Sequence, residues 1–173
     1  FTICSIGRLS EVKGHELLLS VISRLLKEKF DFQVWILGEG ELREMLEKQI
    51  RRLGISEHVT LNGFVKNPYP YLAQADLFVS SSLVEGACLA ICEALSLEIP
   101  VLATRSGGAD EMLKQGEYGM LVPVEENSIY EGMKSLLENR VLYENLRRKA
   151  RLGKKCFDAN RTCLLYTSPS PRD

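Results

Sequence analysis

The stretch that decides the fold is "DLFVSSSLVEGACLAICEALSLEIPVLAT", residues 76–104. It begins with an apolar run that ends in serines and passes through a loop that contains Gly86. It then continues as an apolar, helix-like segment over residues 89–97 and closes with the run "PVLAT". This succession of strand, loop, helix and strand predicts a parallel βαβ unit with a right-handed crossover. Glu85 and Glu93 are unusual in a stretch otherwise built to be buried, and they suggest a site.

The same alternation continues on both sides of this unit. Further strands are predicted at "TICSIG", "FQVWILG", "HVTLNG" and "GMLVP", and helices at residues 14–29, 41–54, 69–75, 109–115, 128–139 and 141–155. The chain is therefore expected to form an α/β fold, a Rossmann-like parallel sheet with helices on both faces. Parallel strands end at one edge of a sheet, so their Gly- and Ser-containing turns meet where open α/β folds bind ligands.

The composition narrows the classes of function. The chain has 173 residues, 45% of them hydrophobic and 26% charged, with a net charge of −1, which is typical of a soluble globular domain. A net charge so near zero provides no broad basic field, so nucleic acid is not expected as a partner. No apolar run approaches the roughly 20 residues that span a bilayer.

The metal-ligating residue types are scattered. Two histidines, His15 and His58, have no ligand-like neighbours in the sequence. The odd number of cysteines fits neither a zinc ribbon nor a disulfide framework, and it favours reduced, buried thiols in a cytosolic protein. No metal site is therefore expected. The cysteines are Cys4, Cys88, Cys92, Cys156 and Cys163.

Two cations share the first predicted ligand-edge loop, "GRLSEVKG", residues 7–14. Arg8 and Lys13 would repel each other in so short a loop unless an anion lay between them, and a diphosphate is a natural one. The alternative is that both are solvated surface charges, as lysines and arginines usually are.

Two further loops offer weaker signals. In "GEGELR", Gly38 begins half of a G-x-G-x-x-G fingerprint, and a plain βα turn explains it at least as well. In "NGFVKN", Gly63 and Phe64 present a flat apolar surface for a base, although a packed loop aromatic would look the same.

The helix that follows Gly86 is expected to begin near Cys88 or Leu89 and to present unpaired backbone N–H groups to an anion. Glu93 lies about one turn inside this helix, where its carboxylate could accept two vicinal hydroxyls, while Glu85 could accept hydroxyls from a second sugar. The plainer alternatives are a first-turn helix-dipole partner for Glu93 and a turn residue for Glu85. The pair Gly107-Gly108 follows the next strand and favours the functional interpretation.

The pattern E-G-x(6)-E-A-L-x(4)-P-V-x-x-T-x-x-G-G, from Glu85 to Gly108, resembles the signature of retaining glycosyltransferases of family 4, which have the GT-B fold. The two glutamates match the family's E-x(7)-E motif. The resemblance covers residues 1 to about 157, and it implies the C-terminal, nucleotide-sugar-binding domain of a two-domain enzyme whose N-terminal acceptor domain is absent from residues 1–157. Residues 162–173, "CLLYTSPSPRD" with the preceding Thr, are expected to be a non-native or disordered tail.

The resemblance implies a role for each matching residue. Arg8 and Lys13 would hold the donor diphosphate, Glu85 the sugar and Glu93 the ribose. The remaining donor contacts would come from Gly86, the backbone of Cys88 and Leu89, Gly63 and Phe64 beside the base, Gly38, and Gly107 with Gly108. The family often has an aromatic residue at the place of Ala87, so the identity of the sugar stays open.

The function implied by this resemblance is transfer of a sugar from a nucleoside-diphosphate sugar to a glycan or lipid-linked acceptor, in the synthesis of bacterial cell-surface polysaccharides. It needs no cofactor and no metal. The enzyme would be cytoplasmic, peripheral at the inner face of the membrane, and the isolated domain would bind donor without transferring sugar. The alternatives are a nucleotide-sugar epimerase of GT-B architecture and a non-catalytic binding module. A dinucleotide enzyme is disfavoured because the G-x-G-x-x-G fingerprint is incomplete.

Overall fold

The computed structural model describes residues 1–86 and 88–155, so the predicted tail at residues 162–173 and Ala87 lie outside the described residues. In the described part, six parallel strands form a single sheet with the order β3-β2-β1-β4-β5-β6, which is the Rossmann order. This confirms the predicted α/β, Rossmann-like fold. The strands are β1 (Thr2–Ile6), β2 (Gln33–Leu37), β3 (Val59–Gly63), β4 (Leu77–Ser80), β5 (Val101–Thr104) and β6 (Met120–Val122).

Helices cover both faces of the sheet. One face carries α1, α2 and α6, the other carries α4 and α5, and α7 packs against both α6 and α4. The helices are α1 (His15–Lys27), α2 (Arg43–Leu53), α3 (Tyr69–Leu72), α4 (Leu89–Ser96), α5 (Gly108–Met112), α6 (Glu126–Glu138) and α7 (Arg140–Lys154), with short 3-10 segments at Glu11–Lys13 and Lys114–Gly116. None of these helices is long and apolar enough to cross a bilayer.

The hydrophobic core is divided in two by the sheet. Successive side chains of a strand point to opposite faces, so Ile3 packs into one core and Cys4 into the other. In β4, Phe78 packs on the opposite side from Leu77 and Val79. Both cores are made of buried side chains, and they support the sheet beneath the loops at its carboxyl edge.

The loops after β1 and β4 lie side by side at the centre of the sheet. β1 is hydrogen-bonded to both β2 and β4, and the chain runs outward from β1 through β2 to β3, then returns to start again at β4. This reversal is the switch point at which open α/β sheets form a ligand crevice. It brings the loop that carries Arg8 and Lys13 next to the loop that carries Glu85.

His15, the first residue of α1, is buried just behind the loop after β1. Its side chain is 3% exposed, and neither ring nitrogen has a hydrogen-bond partner among the described residues. Burial lowers the pKa of His15 to about 4, and the charge of Lys13 acts in the same direction. The ring is therefore neutral in the folded protein at neutral pH.

This burial makes stability fall in mild acid. In the unfolded chain His15 is protonated below about pH 6.5, whereas in the folded protein it is protonated only below about pH 4. The contribution of neutral His15 to stability is therefore fully present above pH 6.5 and is lost as the pH falls. At about 1.36 kcal/mol per pH unit, the contribution lost by pH 5 is about 2 kcal/mol. Urea unfolding at pH 7.5 and pH 5 should show this loss in the wild type, and His15→Leu should lack it. The same pH dependence in both proteins would contradict the assignment.

Candidate functional site

An ion pair joins the two central loops. Lys13 Nζ donates to both carboxylate oxygens of Glu85, at 2.7 Å to Oε1 and 2.6 Å to Oε2. The side chains are only 20% and 11% exposed, respectively. Ser82 Oγ also donates to Glu85 Oε2, at 2.8 Å. Lys13 and Glu85 were both predicted site residues, but their direct pairing and the part played by Ser82 were not predicted.

Two backbone hydrogen bonds join the loop that carries Glu85 to the turn after β5. Glu85 N donates to Ser106 O at 3.0 Å, and Gly108 N donates to Glu85 O at 2.8 Å. A side chain at Gly108 would collide with this loop, because its Cβ would lie 2.8 Å from Gly86 O. In the structure, Gly107 and Gly108 therefore support the Glu85 loop. Their predicted contact with a donor stays a prediction.

A crevice of about 460 Å³ lies beside the ion pair, at the ends of β1, β2 and β3. It brings together predicted site residues from four separate segments. Phe64 is 77% exposed, so it is not the packed loop aromatic that the sequence left open as an alternative. The lining of the crevice includes Gly7, Arg8, Gly38, Phe64, Lys66 and Glu93.

Glu93 lies one turn inside α4 and reaches this crevice from the other side of the sheet edge. Its side chain is partly buried, and burial raises the pKa of the carboxyl above its usual range. No ion pair to Glu93 occurs among the described residues. A half-buried carboxylate without a cation is costly in a stable fold, which favours a binding role over that of a simple helix-dipole partner.

Arg8 lies in the loop after β1, and most of its side chain is exposed. Its guanidinium group pairs with Glu41, with 3.2 Å between Arg8 Nη2 and Glu41 Oε2, and the two side chains are 72% and 55% exposed. The Lys13 side chain instead lies over Gly7, where an added Cβ would be 3.2 Å from Lys13 Cδ. Each cation thus has its own carboxylate, which the sequence did not indicate. Arg8 lines the crevice, and Lys13 lies against Gly7, which also lines it.

The amino end of α4 points toward the Glu85 loop. α4 begins at Leu89, as predicted, with Cys88 before it, and no side chain caps its first N–H groups. Cys88 is buried, and burial raises the pKa of its thiol. Any role of Cys88 in binding would therefore use its backbone. Leu89 is half exposed and Gly86 is exposed.

Backbone contacts lock the three crevice loops together. Leu9 N donates to Glu39 O at 2.9 Å, Leu42 N to Leu9 O at 3.0 Å, and Gly38 N to Gly63 O at 2.8 Å. The approach is so close that a Cβ on Gly38, where φ is 147°, would lie 1.9 Å from the Gly7 carbonyl oxygen. The sequence singled out Gly38 for ligand approach, and the structure shows that it first serves the approach of another loop.

Metal-ligating side chains are dispersed in the folded chain as well. Among residues 1–86 and 88–155, no group of three or more His, Cys, Asp or Glu side chains is placed to hold a metal ion. Cys4, Cys88 and Cys92 are free, buried thiols, which confirms the predicted state of these three, while Cys156 and Cys163 lie outside the described residues.

Comparison with known proteins gives a consistent result. The chain is 39% identical over 158 residues to the N-acetylgalactosamine-N,N'-diacetylbacillosaminyl-diphospho-undecaprenol 4-alpha-N-acetylgalactosaminyltransferase of Campylobacter jejuni, over 90% of this chain and 42% of that protein. It is 34% identical over 145 residues to the lipopolysaccharide core biosynthesis glycosyltransferase LpsE of Rhizobium meliloti, over 84% of this chain and 41% of that protein. The chain thus spans less than half the length of these relatives.

The fold has close structural neighbours. HepE from Anabaena, solved in complex with UDP-glucose, matches with a TM-score of 0.81 at 25% identity, over 95% of this chain and 47% of that one. Such neighbours support the predicted GT-B type of Rossmann-like fold. Residues 1–153 match the family described as "Glycosyl transferases group 1". This chain is therefore a member of the group 1 glycosyltransferase family.

Proposed function

We propose that residues 1–157 form the donor-binding domain of a retaining, family 4 glycosyltransferase. The parent enzyme would move a hexose-type sugar from a nucleoside-diphosphate sugar to a glycan or lipid-linked acceptor in bacterial cell-surface polysaccharide synthesis. The observation that carries the proposal is the crevice at the switch point, which Arg8 and Glu93 line, with the Lys13 side chain over the lining residue Gly7 and paired with Glu85. Relatives named for action on a diphospho-undecaprenol substrate and on lipopolysaccharide core support it.

The proposed chemistry uses the charges at the crevice rim. Cleaving the bond between the sugar and the phosphate leaves negative charge on the departing nucleoside diphosphate. Lys13, Arg8 and the amino end of α4 would stabilise that charge, and such preorganised groups typically lower a barrier by about 3 kcal/mol each. The acceptor would attack from the face that the leaving group departs from, which retains the sugar's configuration without an enzyme nucleophile or a metal.

In the crevice, the ribose hydroxyls would bind Glu93, and the base would lie on Phe64 beside Gly63. The sugar would reach Glu85 past Gly86 and the backbone amide N–H groups of Cys88 and Leu89. A second domain would bind the acceptor, so the isolated chain would bind the donor but transfer the sugar only very slowly. The parent would work in the cytoplasm at the inner face of the membrane.

Titration calorimetry with UDP-, GDP- and ADP-sugars, with NAD as the competing ligand class, tests the proposal. We expect saturable binding of at least one sugar nucleotide and none of NAD. Binding of NAD with no response to any sugar nucleotide would overturn it, because it would assign the crevice to a dinucleotide.

Glu93→Gln should change stability and binding in opposite directions. Burial raises the pKa of Glu93, so the folded protein holds its proton more tightly than the unfolded chain does. The carboxyl therefore detracts from stability as the pH rises above the usual carboxyl range. At pH 7.5 the variant should melt at or above the wild-type temperature, while nucleotide affinity should fall by about 1–3 kcal/mol through loss of a charged hydrogen bond.

Glu98→Gln is the matched control for Glu93→Gln. Glu98 lies just beyond the opposite end of α4, where it pairs with Arg151 and Lys154, and its replacement should leave nucleotide affinity unchanged. Thermal melting and calorimetry on both variants separate a binding role from general loss of charge. Unchanged nucleotide affinity in Glu93→Gln would contradict the binding role of Glu93.

A further inference from the structure

The Lys13–Glu85 pair lies at the junction of the two ligand groups proposed above. Lys13 Nζ uses two of its three N–H donors on the Glu85 carboxylate, at 2.6 Å and 2.7 Å. The group proposed to bind the diphosphate is therefore held by the group proposed to bind the sugar.

Contacts on both sides keep the pair in this geometry. Ser82 Oγ holds Glu85 Oε2 at 2.8 Å. Ser81 Oγ donates to the backbone oxygen of Lys13 at 3.0 Å, and Leu83 N donates to Val12 O at 2.8 Å. Three hydrogen bonds between neighbouring loops and within the Glu85 loop thus fix the pair, which is mostly shielded from water.

This geometry treats two kinds of ligand differently. A bare nucleoside diphosphate that reaches Lys13 takes donors away from Glu85 and places further negative charge beside a carboxylate that is only 11% exposed. Both effects oppose binding, because a buried carboxylate needs its cation and like charges repel. A sugar-bearing donor meets the same competition, but its hydroxyls replace the donors that Glu85 loses.

We infer that Glu85 is a specificity-determining residue that favours the intact sugar donor over the bare nucleoside diphosphate, because it competes with the diphosphate for Lys13. This inference rests on the proposed function and extends it to the product side of the reaction. After transfer, the spent nucleoside diphosphate no longer offers sugar hydroxyls to Glu85. Lys13 then pairs with Glu85 again, and the product dissociates.

The test compares each diphosphate with its sugar derivative: UDP with UDP-glucose, GDP with GDP-mannose, and ADP with ADP-glucose. Calorimetry on the 173-residue chain at fixed salt gives both dissociation constants for the pair that binds. In Glu85→Gln, the bare diphosphate should bind about fivefold more tightly, because its competitor for Lys13 loses its charge. The sugar nucleotide should bind about tenfold more weakly, because the glutamine forms a weaker bond to the sugar hydroxyls.

Glu11→Gln is the charge-matched control. Glu11 is exposed and lies two residues from Lys13 in the same loop, so it loses the same formal charge without touching the pair. Its affinities should match those of the wild type. Thermal melting of each variant verifies that it is folded, and Glu85→Ala provides a second variant in which the bare diphosphate should again bind more tightly.

The possible results distinguish failure of this inference from failure of the proposed donor-binding function. If the wild type binds none of the three pairs, the proposed function falls and the inference falls with it. If the wild type binds a pair but Glu85→Gln weakens both ligands equally, or Glu11→Gln tightens the diphosphate as much, the donor-binding function stands and the inference is wrong.

Discussion

Replacing Lys13 with methionine should destabilise the domain by about 3–5 kcal/mol. The change leaves the Glu85 carboxylate, 11% exposed, with a hydroxyl partner but no cation, and removing one member of a buried pair typically costs this much. Urea unfolding at neutral pH measures the loss. Sugar-nucleotide binding should fall at least tenfold in the same variant, because the proposed diphosphate contact disappears.

Two further variants make this expectation specific. Arg8→Met breaks a pair whose side chains are 72% and 55% exposed, so its effect on unfolding should stay within about 1 kcal/mol. The double variant Lys13→Met with Glu85→Gln should recover most of the lost stability, because no unpaired charge is left in the site. Equal effects of Lys13→Met and Arg8→Met would show that burial of the first pair contributes nothing.

Gly38→Ala should destabilise the domain by about 4 kcal/mol or more, enough to leave a protein of ordinary stability largely unfolded. A Cβ at this position would lie 1.9 Å from the Gly7 carbonyl oxygen, at a φ of 147°. The backbones of the two loops would have to separate. Expression, thermal melting and urea unfolding give the measurement.

Gly54→Ala controls for backbone strain alone. Gly54 ends α2 with a φ of 71°, and nothing lies within 4 Å of a Cβ built there. Its replacement should therefore cost only about 1 kcal/mol, the usual penalty for a left-handed residue with a side chain. A comparable loss in Gly38→Ala would mean that the loops relax around the new methyl group.

Much of the fold was accessible from the sequence, because hydrophobic periodicity records which residues are buried. The strand predicted at "FQVWILG" is Gln33–Leu37 in the structure, and α4 begins at Leu89 as expected. The helix predicted over residues 109–115 is shorter. It ends at Met112, because Lys114 and Gln115 take left-handed φ values of 47° and 55° that periodicity does not reveal.

The candidate site was accessible only in outline. Residue type and position in a loop after a strand selected Lys13 and Glu85, and position about one turn inside the next helix selected Glu93. The partners of Lys13 and Arg8 could not be inferred, since Lys13 and Glu85 lie 72 residues apart and Arg8 and Glu41 lie 33 apart. The run of serines at the end of β4 is evident in the sequence. Which of them contacts Glu85 depends on the path of the chain after Ser80, and in the structure it is Ser82.

The interlocked loops have a consequence for altering what the crevice accepts. The hydrogen bonds that join Leu9, Gly38 and Leu42 to their neighbours use main-chain atoms alone. These loop contacts therefore do not depend on most of the side chains that the loops carry. Phe64 and Lys66 line the crevice from such a loop. Under the proposed function, a library that varies these two positions would sample new nucleotide preferences without disturbing these main-chain contacts.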